Sequence, residues 1–177
     1  MATRVFCTFD DGVTPAAFFA CAQEGIAGLR PEVRASLETA CVRYCGETGE
    51  APVVTSGWRS LKSCARLMAG FDRGQLEGMY CRHGYAPYVR DLLAARERLG
   101  RRLTDEEAYE ILCRREEGYI SWHLQGGAVD IQAPVNRPEL LRQCLEDANF
   151  TVFDEQELGV ACYHATYRGL EPQIIRK

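Results

Sequence analysis

The chain has 177 residues, 46% hydrophobic and 26% charged, with a net charge of -4. That length and mix fit one ordinary globular domain with a sizeable core, and an acidic balance without a basic run argues against a nucleic-acid or membrane-surface partner. No apolar run approaches the roughly 20 residues of a membrane helix, and the N-terminal residues, interrupted by Asp10 and Asp11, lack the apolar segment of a signal peptide.

Val5 to Phe9 alternates weakly, as a short edge strand does. Thr14-Pro15 is a helix start, and that helix is expected to run through Phe18, Phe19 and Ala22 to Gly25 or Gly28. A second helix from Pro31 places Val33, Leu37, Cys41 and Tyr44 on one face, with Gly46 as its end. Pro52 to Thr55 then reads as a β-branched strand leading to Gly57-Trp58-Arg59. Ser60 caps a third helix with Leu61, Cys64, Ala65 and Met68 inward, closing at Gly70. The alternating glycines and charges from Phe71 to Gly84 read as a loop.

Tyr88, Leu92, Arg96 and Leu99 mark a fourth helix, stopped by Gly100. Thr104 and Glu107 form a capping box that opens a fifth helix, bearing Ala108, Ile111 and Leu112 and ended by Gly118. Ala128 to Ile131 is a short buried strand. Asn136-Arg137-Pro138 starts a last helix with Leu141, Cys144, Leu145 and Ala148 on one face, and Asn149 to Phe153 and Val160 to Tyr167 are closing strands. The expectation is a single α+β domain over 1–177, with a small, mainly antiparallel sheet flanked by helices. Strands near 53–55, 128–132 and 160–164 should share that sheet. Residues 85–118 form a helical insertion before the Ser121–Ile131 stretch, a hairpin joined at Gly100 to Leu103. Its outer face carries Arg90, Arg96, Arg98, Arg114 and Arg115 among glutamates, which suits a solvated surface or a lid hinged at Gly84 and Gly118.

The chemistry concentrates between Ser121 and Ile131. His123 and Asp130 stand seven residues apart, separated by Gly126 and Gly127, which let the chain bend sharply. A carboxylate amid alanine, valine and isoleucine needs a neutralising partner. A metal ion serves, since imidazole and carboxylate are suitable zinc ligands.

The pattern Ser121-x-His123-x-x-Gly126-x-Ala128-x-Asp130 resembles the first zinc half-site of the LAS metallopeptidases. That family takes in D-alanyl-D-alanine carboxypeptidases and dipeptidases, related phage endolysins and, distantly, sonic hedgehog. Upstream, Ser56-Gly57-Trp58-Arg59-Ser60 is similar to the family's Ser-Gly-Tyr-Arg-Ser; downstream, Cys162-Tyr163-His164 is similar to the Trp-His that carries its last ligand. The three stretches lie in family order and span Val53 to Arg168, about two thirds of the chain. The resemblance implies a Zn²⁺ held by His123, Asp130 and His164, with a fourth position for water. It also implies that Arg59 steadies the carbonyl oxygen as charge develops. Ser121 would bind substrate or orient the His123 loop. The implied substrate is a D-amino-acid-containing peptide, such as a peptidoglycan stem. Trp58 and Trp122 suit the pocket wall or, more simply, the core.

The sequence departs from the family at the proton-transfer position, three before the last histidine, where Ala161 replaces an acid. Of the nearby acids Glu157, Glu155 and Asp154, Glu157 is the substitute base, about 13 Å away along an extended strand unless the chain turns at Gly159. Tyr163 replaces the family's Trp, Ala165-Thr166 its aromatic-acid pair, and Cys64 a usual glutamine. The readings are a zinc peptidase with Glu157 as base, a catalytically impaired zinc-binding homologue that binds peptide or protein, and a thiol-based function. Nine cysteines without a signal peptide read as reduced thiols of a protein cytoplasmic as synthesised. Release by phage lysis or a dedicated secretion system fits the same absence. Cys41 with Cys45, and Cys81 beside His83, are the candidates for a second zinc site.

Overall fold

The computed structural model describes residues 4–6, 20–22, 26–81, 86–133 and 135–176. Contacts divide the chain into two compact units: Met1–Trp58 with Gln125–Leu170, and Arg59–Leu124 with Glu171–Lys177. The fold is α+β, as the element order predicts, and no helix of the described residues is long and apolar enough to cross a membrane.

The first unit is built on one sheet. Its strands are β1 (Arg4–Phe6), β2 (Ala20–Ala22), β3 (Val53–Ser56), β4 (Ala128–Gln132), β5 (Phe150–Asp154) and β6 (Cys162–Tyr167), in the order β1-β2-β3-β4-β6-β5. Only β2 and β3 run parallel; the other neighbours are antiparallel. The three predicted central strands therefore do share a sheet, and the first residues of the predicted N-terminal strand, Val5 and Phe6, lie at its edge, the rest of it being outside the described residues. The predicted first helix is contradicted at its end, because Ala20–Ala22 pairs in the sheet; its remaining residues before Ile26 lie outside those described.

Strand alternation sorts the sheet into two faces. Val54, Val129, Ile131, Val152, Tyr163 and Ala165 turn to the core. Helix α1 (Pro31–Thr48) covers it with Val33, Leu37, Cys41 and Tyr44, and α6 (Pro138–Asp147) with Leu141, Cys144 and Leu145. Proline occupies the first turn of both helices, where a missing N–H costs nothing. Gly46 does not end α1. The helix continues two residues further and stops at Gly49, whose φ of 74° supplies the left-handed cap.

The second unit is helical: α2 (Leu61–Gly70), α3 (Arg73–Tyr80), α4 (Pro87–Leu99) and α5 (Asp105–Arg114). Ser60 caps α2 by accepting from Ser63 N–H, and Thr104 with Glu107 forms the predicted capping box of α5. The predicted loop after Phe71 contains α3, opened by a second capping box of Asp72 and Gln75. The helices bury Leu61, Met68, Leu76, Leu92 and Leu112 in one cluster.

The segment 85–118 is thus not a free-standing hairpin, since α5 packs chiefly on α2 rather than on α4. Nor are all its arginines a solvated face. Arg96 donates to the carbonyls of Phe71 (2.7 Å) and Met68 (2.6 Å), closing the C-terminal end of α2. Arg115 is buried and donates to the carbonyls of Leu112 and Ile175, which brings in the C-terminal segment. Leu99, predicted inward, is exposed. The fifth helix ends at Arg114, four residues before Gly118.

Candidate metal centre

The sheet face opposite the core carries the polar residues. Ala128, Asp130 and Gln132 of β4 lie there because Val129 and Ile131 take the core side. By the same alternation β6 presents Cys162, His164 and Thr166 on that face, and β5 presents Thr151 and Phe153. The β4–β6 register sets Asp130 directly opposite His164. His164 Nδ1 lies 2.8 Å from Asp130 Oδ1, and His164 Nε2 lies 3.1 Å from Thr166 Oγ1. On the other side of β4 an irregularity in the pairing brings Ser56 opposite Asp130, and Thr55 donates its hydroxyl to the Asp130 carbonyl at 3.2 Å. Asp130 is 6% exposed. A buried carboxylate in mid-strand with imidazole at hydrogen-bonding distance is the partnered group that its apolar neighbours require.

The chain enters β4 through a 3₁₀ turn, Trp122–Gln125. This turn spans the division between the two units and carries His123, which is buried. Ser121 Oγ accepts from His123 N–H at 3.3 Å, and the His123 carbonyl accepts from Arg59 N–H at 3.1 Å. Gly126 follows at φ +69°, and a Cβ there would stand 2.5 Å from the Gly28 carbonyl oxygen. The bend before β4 can be made only by glycine, as the sequence pattern anticipates.

Among the described residues of the first unit, Asp130, Glu155 and Cys162 form one group that can hold a metal ion, and Asp130 with His164 offers the carboxylate and imidazole of another. In the first, the ligand atoms all lie within 4.8 Å of one another. Imidazole and carboxylate suit zinc, whose bonds of about 2.0 Å in tetrahedral geometry put ligand atoms roughly 3.3 Å apart. The Asp130–His164 separation needs to open by about half an ångström to reach that.

The other predicted residues fall less simply. Arg59 is half-buried, and its charge works against the effect of burial, which pushes the Cys64 thiol up to about 11. Ala161 is exposed, and its carbonyl accepts from Ala133 N–H. The chain does turn at Gly159 (φ +75°), after a 3₁₀ turn Glu155–Leu158 capped by Asp154. That turn leaves Glu157 exposed and brings Glu155 instead to the Asp130 group. Trp58 is 42% exposed rather than a core aromatic, and Trp122 packs against Tyr119.

Cys162, quoted in the sequence only as part of the last motif, and Glu155, set behind Glu157 as a nearby acid, are candidate ligands that the sequence reading does not assign. A signal existed, because Cys162 and His164 stand two apart on one strand and so share a face. Glu155 carries no such signal; its position depends on the turn. Cys41 sits in the core, and Cys41 and Cys45 belong to neither group, while His83 lies outside the described residues. Comparison with family models, curated proteins and solved structures yields no match.

Proposed function

We propose that the chain is a zinc-dependent peptidase of LAS type, acting on D-amino-acid-containing cell-wall peptides. One observation carries the reading: Asp130 and His164, on two of the motif's three ligand positions, face each other with Oδ1 and Nδ1 2.8 Å apart, and a buried histidine, His123, stands on the third. The three sequence stretches in family order supply the substrate class. When bound, zinc supplies Lewis acidity toward a scissile carbonyl and acidifies an attacking water. The chain's own residues then hold and orient. Thr166 Oγ1 holds the Nε2 edge of the His164 ring and leaves Nδ1 toward Asp130 as the ligand edge, and Ser121 fixes the backbone of His123. Arg59 offers a permanent charge for the carbonyl oxygen.

The position of Ala161 favours a second reading, a zinc-holding domain that binds peptide or a protein partner without turning it over. General acid-base help is worth about 10²–10⁴-fold, and Ala161, which stands at the family's acid position, carries no proton, while Glu157 is exposed in the turn before it. Elemental analysis of protein purified without chelator should find zinc, one equivalent of which is lost in His123→Ala and in His164→Ala but kept in His83→Ala. Zinc absent from the wild type, and not restored by added metal, would sink both readings. Incubation with D-Ala-D-Ala and with muropeptides, beside an Ala161→Glu variant, separates them. Activity in the wild type, with turnover reduced in Arg59→Ala, supports the peptidase; activity in Ala161→Glu alone supports the binding module.

A further inference from the structure

We propose that Asp130, Glu155 and Cys162 form a second cation position, filled by a thiophilic divalent ion of zinc type, with Asp130 common to both positions. Four cysteines of the described residues are buried, and three of them (Cys41, Cys144 and Cys64) belong to the hydrophobic clusters. Cys162 is 6% exposed yet belongs to neither. Instead its Sγ lies 3.3 Å from Glu155 Oε2, on the polar face of the sheet. A buried thiol among apolar side chains is a small hydrophobe; a buried thiol on two carboxylates is a ligand set.

The backbone fixes all three groups independently of any ion. Cys162 and Asp130 are held by the β4–β6 pairing, two register positions apart and so on the same face. Glu155 opens the 3₁₀ turn that follows β5, and Asp154 caps that turn by accepting from Gln156 N–H at 2.9 Å. The Cys162–Glu155 contact thus joins two rigid pieces. One sulfur and two carboxylate ligands select a borderline-soft cation such as Zn²⁺ over Mg²⁺ or Ca²⁺, which take oxygen alone. Three protein ligands leave a fourth place open. Asp130 has two oxygens, one for each position, the arrangement by which carboxylates bridge metal pairs about 3.5–4 Å apart.

The test uses the full chain, stripped of metal and titrated with Cd²⁺ while thiolate-to-metal absorption in the ultraviolet is followed, with zinc content measured in parallel. The expected wild-type result is a thiolate signal that saturates, and about two zinc ions per chain. Cys162→Ala should remove the signal and one equivalent. Glu155→Gln, an isosteric change in a surface turn, should weaken Cd²⁺ binding by at least about tenfold; it decides the matter if Cys162→Ala fails to fold. His123→Ala should leave the thiolate signal in place. A signal unaltered in both Cys162→Ala and Glu155→Gln would overturn the proposal, as would metal loading of the wild type with no thiolate signal. Zinc lost with Cys162→Ala but indifferent to His123→Ala would uphold this position while rejecting the peptidase site.

Discussion

Gly126→Ala is expected to cost more than about 3 kcal/mol of folding stability. Two penalties coincide at this residue. Its φ of +69° lies in the left-handed region, where an alanine costs roughly 1–2 kcal/mol. The added Cβ would also stand 2.5 Å from the Gly28 carbonyl oxygen, 3.0 Å from Arg30 N and 3.2 Å from Leu29 Cα. These are backbone atoms, and Arg30 N–H is itself bonded to the Gly126 carbonyl at 3.1 Å, so the neighbours cannot yield cheaply. Gly49→Ala is the internal control. It has a similar φ of +74° but nothing within 4 Å of its Cβ, so it should show the conformational penalty alone. Urea unfolding of the two variants separates the contributions. Equal losses would mean that the loop around Gly28 gives way and that Gly126 is chosen for its dihedral only. Because Gly126 sits between the His123 turn and β4, the proposed metal position should lose occupancy together with the loss of stability.

What the sequence reveals follows the range of the interactions involved. Caps and proline starts are local, and Ser60, Thr104 with Glu107, and Pro138 mark helix starts where the structure has them. Helix α3 is local too, opened by Asp72 and Gln75, but Gly74 and Gly78 and a single fully buried residue, Leu76, obscure its periodicity. Gly46 misleads because glycine inside a long helix costs only about 1 kcal/mol, which the packing of Val33, Leu37 and Tyr44 outweighs. Arg96 and Arg115 read as surface charges, yet each closes a helix end through carbonyls distant in sequence or at a turn. The candidate ligands His123, Asp130 and His164 are legible because the motif names all three and the strand pattern agrees for Asp130 and His164. Glu155 is not, since only the pairing of β5, β6 and β4 brings it to Asp130.

Deleting residues 86–118 behind a short glycine linker is expected to unfold the helical unit rather than to open a site. The two helices removed, α4 and α5, contribute Tyr88, Val89, Leu92, Ala108 and Leu112 to the buried cluster, against Leu61, Cys64, Met68 and Leu76 of α2 and α3. Burial of each large apolar side chain is worth about 1.5–3 kcal/mol, so four such losses rival the whole stability of an ordinary domain, roughly 5–15 kcal/mol. Two arginine caps would go with them: the Arg96 bonds that close α2, and the Arg115 bonds that hold the C-terminal segment. The remaining faces of α2 and α3 would stand open, an aggregation surface. The milder Leu112→Ala keeps both helices and should lose about 2–5 kcal/mol, read from the urea midpoint. For the deletion itself the measurements are solubility, helical circular dichroism and the cooperativity of unfolding. A soluble variant that melts in one sharp transition and keeps the helicity of α2 and α3 would contradict the structural role and return the segment to the status of a lid. Insolubility, together with a destabilised but soluble Leu112→Ala, is the result that the burial of Leu92 and Leu112 predicts.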